Sequence, residues 1–194
     1  MIEQALQVAE EKQPAWKAFP QAAKIRIYML QGDVQAAIQF AGNELYEAIS
    51  IPYARYTIFL CLANIELAIA RGDHELGLRL IEELSNEVTP LTRVGVPEVI
   101  RWKGIALTEL GRYDEAHQAL SEACSMARKL DAQPQLWRIL ANLATVNAKL
   151  GNQKEAEENL EEARTIIRQI AESLHEIGLS ETFMNQPQVR ELRR

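Results

Sequence analysis

A chain of 194 residues suits one domain or one short solenoid with a sizeable core, and 47% hydrophobic against 25% charged residues is not the composition of a disordered segment. A net charge of −6 with no Lys/Arg stripe argues against a phosphate-backbone binder, so direct nucleic-acid contact is not expected. Cys61 and Cys124 lie far apart inside helical patterns and read as buried thiols, which fits a reducing compartment rather than a disulfide framework.

The first predicted element is a helix over residues 2–12, with Ile2, Ala5, Leu6 and Ala9 on one face. It reads as the second helix of a partial repeat (1–13) whose first helix is missing. Either the chain is cut from a longer array, or this helix is a natural cap with a face for self-association. No apolar h-region follows Met1. The most apolar run, Ile58 to Ala70, is broken by Asn64 and Glu66 and is too short to span a bilayer. The expected setting is the cytoplasm, off the membrane.

A period then takes over. Gly32, Gly72, Gly111 and Gly151 stand 40, 39 and 40 residues apart, each closing one helical pattern two residues before the next begins. Repeat 1 (14–49) opens at Pro14 or Pro20 and continues after Gly32 with Ala37 and Ala41, but has Glu44 where an apolar residue should stand. Repeat 2 (50–89) has Pro52, Gly72, then Gly77, Ile81 and Leu84. Repeat 3 (95–131) is the clearest, with helix A from about Pro97 to Leu110 and helix B from about Tyr113 to Leu130. Ala116, Leu120 and Ala123 form one apolar face of that helix B. Repeat 4 (133–177) opens at Pro134, closes helix A at Gly151, and puts Ala156, Leu160 and Ala163 in the equivalent places. Small residues at Ala37, Gly77, Ala116 and Ala156, and at Gly104 and Ala144 on the opposing helices, let two helices joined by so short a turn cross closely.

Helix B of repeat 4 carries a long stripe, Leu160, Ala163, Ile167, Ile170, Leu174 and Ile177, which has to be covered. Gly178 allows a turn, Ser180 offers a cap, and Phe183, Met184, Val189 and Leu192 can fold back. A C-terminal capping helix (179–194) is predicted to start near Pro187.

The run Gly104-Ile105-Ala106-Leu107-Thr108-Glu109-Leu110-Gly111-Arg112-Tyr113-Asp114-Glu115-Ala116 resembles the tetratricopeptide (TPR) signature. The repeat of nearly 40, with Arg26-Ile27-Tyr28-Met29-Leu30-Gln31-Gly32-Asp33 and Glu66-Leu67-Ala68-Ile69-Ala70-Arg71-Gly72-Asp73, is similar to the long-repeat sensor region of MalT-like (LuxR-type) bacterial regulators. The C-terminal stretch resembles the end of the TPR region in large bacterial signalling ATPases and cyclases. The resemblance implies an all-α, right-handed superhelical TPR-like solenoid, residues 1–194, of about four antiparallel helix pairs with N- and C-terminal capping helices. It also implies that the A helices line a concave face on which a partner is held. In that frame the inward positions are Arg26, Met29, Glu66, Arg101, Ile105, Thr108, Arg138, Asn142, Thr145 and Lys149.

A search for chemistry finds no HExxH, CxxC, GxSxG or Walker pattern, and His74, His117 and His175 have no ligand spacing. Glu155, Glu157, Glu158, Glu161 and Glu162, interleaved with Lys154 and Arg164, read as a solvated helix face. Arg71-Gly72-Asp73 coincides with the repeat's own turn, and Trp16, Trp102 and Trp137 read as packing residues, one of which could stack on a ligand. The expectation is a non-catalytic protein-interaction scaffold without cofactor or metal, a regulatory part of a bacterial signalling or transcription-regulating protein, that holds a peptide or protein segment in the groove. The alternative is the small-molecule effector-sensing region of a MalT-like regulator. Self-association through the N-terminal helix is a third expectation.

Overall fold

The computed structural model describes residues 2–12, 18–41, 54–87 and 96–193, and all regular structure among them is helical. The helices are α1 (Ile2–Lys12), α2 (Ala18–Leu30), α3 (Val34–Ala41), α4 (Ala54–Ala70), α5 (His74–Glu87), α6 (Val96–Glu109), α7 (Tyr113–Lys129), α8 (Gln133–Lys149), α9 (Gln153–Ser173), α10 (Ser180–Met184) and α11 (Pro187–Leu192). They fall into two compact units, Met1–Thr89 and Pro90–Arg194. Pro14, Trp16, Glu44 and Pro52 lie outside the described residues, as do the expected repeat boundaries near 14, 49–50 and 89–95.

The pairing of helices follows from the turns. Gly32, Gly72, Gly111 and Gly151 all have positive φ, between 74° and 84°, which costs glycine nothing. At the first turn Gly32 N–H donates to the Met29 carbonyl and Asp33 N–H to that of Tyr28, the two bonds of a Schellman cap. The same pair of bonds recurs at Gly72, Gly111 and Gly151. Asp33 and Asp73 then start the next helix, each accepting a backbone N–H on Oδ1, from Ala36 at 2.9 Å and from Leu76 at 3.2 Å. Arg112 and Asn152 stand in the same place without a side-chain cap, so the glycine half of the turn is what the helix pairs share. Asp131, at φ 50°, does the work of a glycine between α7 and α8.

In the first unit α2 packs on α3 and on α4, and α4 packs on α5. Ala22, Ile25, Ala37, Ala41, Leu60, Ala63 and Leu67 form one buried cluster there. In the second unit each of α6 to α9 packs on its successor, and α6 also packs on α8, so consecutive first helices touch. The anticipated faces are buried: Ala116, Leu120, Ala123 and Ala163 are 0% exposed. Pro97, Pro134 and Pro187 sit in first turns, where a missing N–H is harmless.

Close crossing has a measurable footprint. A methyl group built at Gly104 on α6 would lie 2.4 Å from Leu120 Cγ and 2.7 Å from Leu120 Cδ2 on α7. One at Gly77 on α5 would lie 2.8 Å from Ile69 Cγ1 on α4. The first clash is with a branch point deep in the core, which cannot swing aside as a flexible tip can.

The C-terminal end is capped, with two departures from expectation. Helix α9 stops at Ser173, whose hydroxyl donates to the Ile170 carbonyl at 2.8 Å, so Ile177 lies beyond the helix and is 65% exposed rather than part of a continuous stripe. Ser180 makes no capping bond; Leu179 is the N-cap of α10, a short helix the sequence reading did not separate. Helix α11 begins at Pro187 as predicted. Both α10 and α11 pack on α9, Val189 is 0% exposed, and Arg164 Nε donates to the Leu192 carbonyl at 2.8 Å.

Two outcomes follow for stability. Gly104→Ala is expected to destabilise the chain by about 1–3 kcal/mol in urea unfolding, even though alanine is the better helix former by about 1 kcal/mol. Deleting residues 179–194 should lower the thermal midpoint and raise binding of an apolar dye; an equally stable, dye-silent truncation would show that α9 needs no cover.

Candidate functional site

In the first unit, Arg26 on α2 reaches across to α4, with Nη2 3.3 Å from Glu66 Oε1. Glu66 is only 5% exposed, and an ionised carboxylate so placed requires a cation or donors nearby. Met29 is packed against the apolar cluster, so its side chain belongs to the core.

In the second unit the expected residues fall on α6 and α8. Arg138, Asn142, Thr145 and Lys149 recur at steps of three and four along α8, and Arg101, Ile105 and Thr108 do the same along α6, so each set occupies one helix face. Arg101 is 8% exposed and Glu98, three residues earlier, is 7% exposed. The guanidinium grips both oxygens of that carboxylate, Nε at 3.1 Å from Oε2 and Nη2 at 2.8 Å from Oε1, the bidentate geometry arginine favours. Its third nitrogen, Nη1, donates to Asn142 Oδ1 on α8 at 3.1 Å, and Cζ lies 4.3 Å from the Trp102 ring centre. One side chain thus fastens α6 to α8.

The remaining members differ in availability. Thr108 donates to the Gly104 carbonyl at 2.7 Å and Thr145 to that of Ala141 at 3.2 Å, both along their own helices. Ile105 is half-buried, while Thr145 and Lys149 are exposed. Arg138 is half-buried, with Cζ 5.0 Å from the ring of buried Trp137. Of the four basic residues, Arg26 and Arg101 face carboxylates of the protein itself, and Lys149 presents its charge to solvent. Sequence reasoning missed Glu98, although its spacing of three from Arg101 on a helix was the signal for the pair. Trp102 was read as a packing residue, one of three tryptophans of which one could stack on a ligand; its buried Nε1 has no hydrogen-bond partner among the described residues.

The acidic cluster on α9 is a network of surface pairs. Glu162 takes both guanidinium arms of Arg128 on α7, at 2.6 and 2.7 Å. Arg168, at 2.8 Å from Glu161, holds that carboxyl below the usual carboxylate range. Among the described residues no group of three His, Cys, Asp or Glu side chains is arranged to hold a metal, and no helix is long and apolar enough to cross a membrane.

The buried pair gives a direct test. Arg101→Leu leaves Glu98 buried without its guanidinium and is expected to cost about 3–5 kcal/mol in urea unfolding, whereas the double change Glu98→Leu with Arg101→Leu should recover most of that loss.

Comparison with known proteins bears on the same elements. No curated protein matches the chain. Residues 96–169, from the start of α6 through most of α9, match the family model for the tetratricopeptide repeat. Such repeats are a non-catalytic fold that generally mediates protein–protein interaction. The helical hairpins of the second unit, closed by left-handed glycines and stacked first helix on first helix, are therefore similar over residues 96–169 to tetratricopeptide repeats.

Proposed function

We propose that this chain is a non-catalytic interaction module, a regulatory part of a bacterial signalling or transcription-regulating protein working in the cytoplasm. It holds a peptide or protein segment against the faces of its first helices. The observation that carries this reading is the Arg101–Asn142 bond between α6 and α8 inside the matched repeats. By fastening two neighbouring helices it favours one continuous surface, with Ile105 and Thr108 on one side and Asn142, Thr145 and Lys149 on the other. Small or modest side chains there leave room for a backbone, half-buried Ile105 offers an apolar contact, and Lys149 suits a segment with an acidic residue at that end. Arg26 and Glu66 are the corresponding candidates in the first unit, with the pair between them as their joint feature. Arg101 acts by setting the surface and Arg138 by lining it. The bacterial regulatory setting rests on the resemblance of the long repeat to MalT-like regulators.

A second reading, a small-molecule effector site, has Trp102 in its favour. An aromatic ring against a guanidinium, with an indole N–H that has no acceptor among the described residues, is the sort of polar-aromatic corner that fixes a small ligand.

Panning a random peptide library on the full chain tests the first reading. Selected peptides should lose at least about tenfold in affinity, about 1.4 kcal/mol, on Thr145→Arg or Lys149→Glu, with the melting curve unchanged. Peptides insensitive to both substitutions, or a library that yields none, would remove the face from consideration.

A further inference from the structure

Corresponding positions of the first helices differ in one place. Counting back from the turn glycine, the residues five and twelve before it are Leu67 and Leu60 on α4, and Val146 and Ile139 on α8. All four are apolar and at most 4% exposed. On α4 they sit in one cluster with Ala22 and Ile25 of α2, the preceding first helix. On α8, which packs on the preceding first helix α6, they are 0% exposed. The same two positions on α2 are Ile27, 40% exposed, and half-buried Pro20. Leu30, one turn on, is 46% exposed. So α2 keeps the apolar face that a first helix turns toward its predecessor, with no described helix over it. Helix α1 borders this face but leaves Ile27 and Leu30 exposed. It packs on α2 through Leu6 and through the ion pair of Glu3 with Lys24, whose ammonium lies 4.4 Å from the Phe40 ring centre, toward α3.

We propose that this face is a dimer interface in which α2 of one copy packs antiparallel on α2 of a second copy. The repeat says what kind of element belongs there, a first helix, and α2 is suited to pair with itself. In an antiparallel pair centred on position 25, Ala23 of each copy lies opposite Ile27 of the other, and Pro20 opposite Leu30. Each large side chain then meets a small or flat one, so a two-fold axis satisfies both copies at once. The neighbouring charges already have partners within the chain, Lys24 with Glu3 and Arg26 with Glu66, so the approach brings no uncompensated cation into contact. A contact built from one 13-residue helix per copy falls at the small end of specific interfaces, below about 1,200 Å² in total, and gives a weak, reversible dimer. The contact uses α2 of the first unit and the proposed binding surface uses α6 and α8 of the second, so separate substitutions test the two.

Sedimentation of the full chain across concentrations spanning Kd values from about 1 µM to about 1 mM tests the proposal. The expected result is a reversible monomer–dimer equilibrium. Ile27→Glu and Leu30→Glu should each weaken it at least about tenfold with unchanged helical circular dichroism and melting. Ile177→Glu, at a still more exposed apolar residue of the other unit, should leave it unaltered. A chain that stays monomeric throughout, or a dimer indifferent to both α2 substitutions, overturns the proposal. Masses growing beyond the dimer, or an equal loss with Ile177→Glu, overturn it in favour of end-to-end stacking.

Discussion

Two helices joined by three residues can cross in very few ways, and that restriction organises what surrounds it. The left-handed glycine turns the chain back at once, the Schellman bonds hold the last carbonyls of the first helix, and the second helix must start in contact with the first. At such a crossing side-chain size matters more than polarity. Gly104 lies under Leu120 and Gly77 under Ile69 because a single methyl group would already overlap its neighbour. Where alanine serves instead, as at Ala116 and Ala156, it is buried to within 3%. Side-chain volume therefore sets the crossing within each hairpin.

The packing of one hairpin on the next is where the polar groups act. Apolar faces packing on apolar faces tolerate sliding, since the hydrophobic effect has no direction. A bidentate pair reaching to an amide on the next helix has direction. The Glu98–Arg101–Asn142 arrangement sets α8 against α6, and Arg26 with Glu66 links α2 to α4 in a similar manner. Buried ion pairs contribute little net stability; their use here is the directional contact they make between neighbouring helices. For the proposed binding role this is useful, because a surface made of two helices keeps its pattern only while their register holds. The outer surface is joined by more exposed pairs such as Arg128–Glu162, whose value is small and sensitive to salt.

Much of the fold was legible before any coordinates. The 40-residue period, the prolines in first turns, the apolar faces of α7 and the start of α11 at Pro187 all come from rules that act within a few residues. The failures were of two kinds. Some were local: α9 ends at Ser173, before Ile177, and Ser180 makes no capping bond. Others concerned the candidate site. The list of inward residues placed Arg101 and Lys149 in one class, yet the first is clamped between two helices and the second is exposed.

The sequence by itself determined where the chain turns and which helix faces are apolar, because left-handed backbone, capping bonds and helical periodicity depend on residues at most five apart. Tertiary structure alone decided which charges remain for a partner and which apolar face stays open. Those outcomes depend on side chains some 40 residues away, Asn142 for Arg101 and Glu66 for Arg26, and on whether a neighbouring first helix lies over Leu67 or over Ile27. No local pattern carries that information, since Ile27 and Leu67 occupy the same position in the repeat and differ only in what is packed against them.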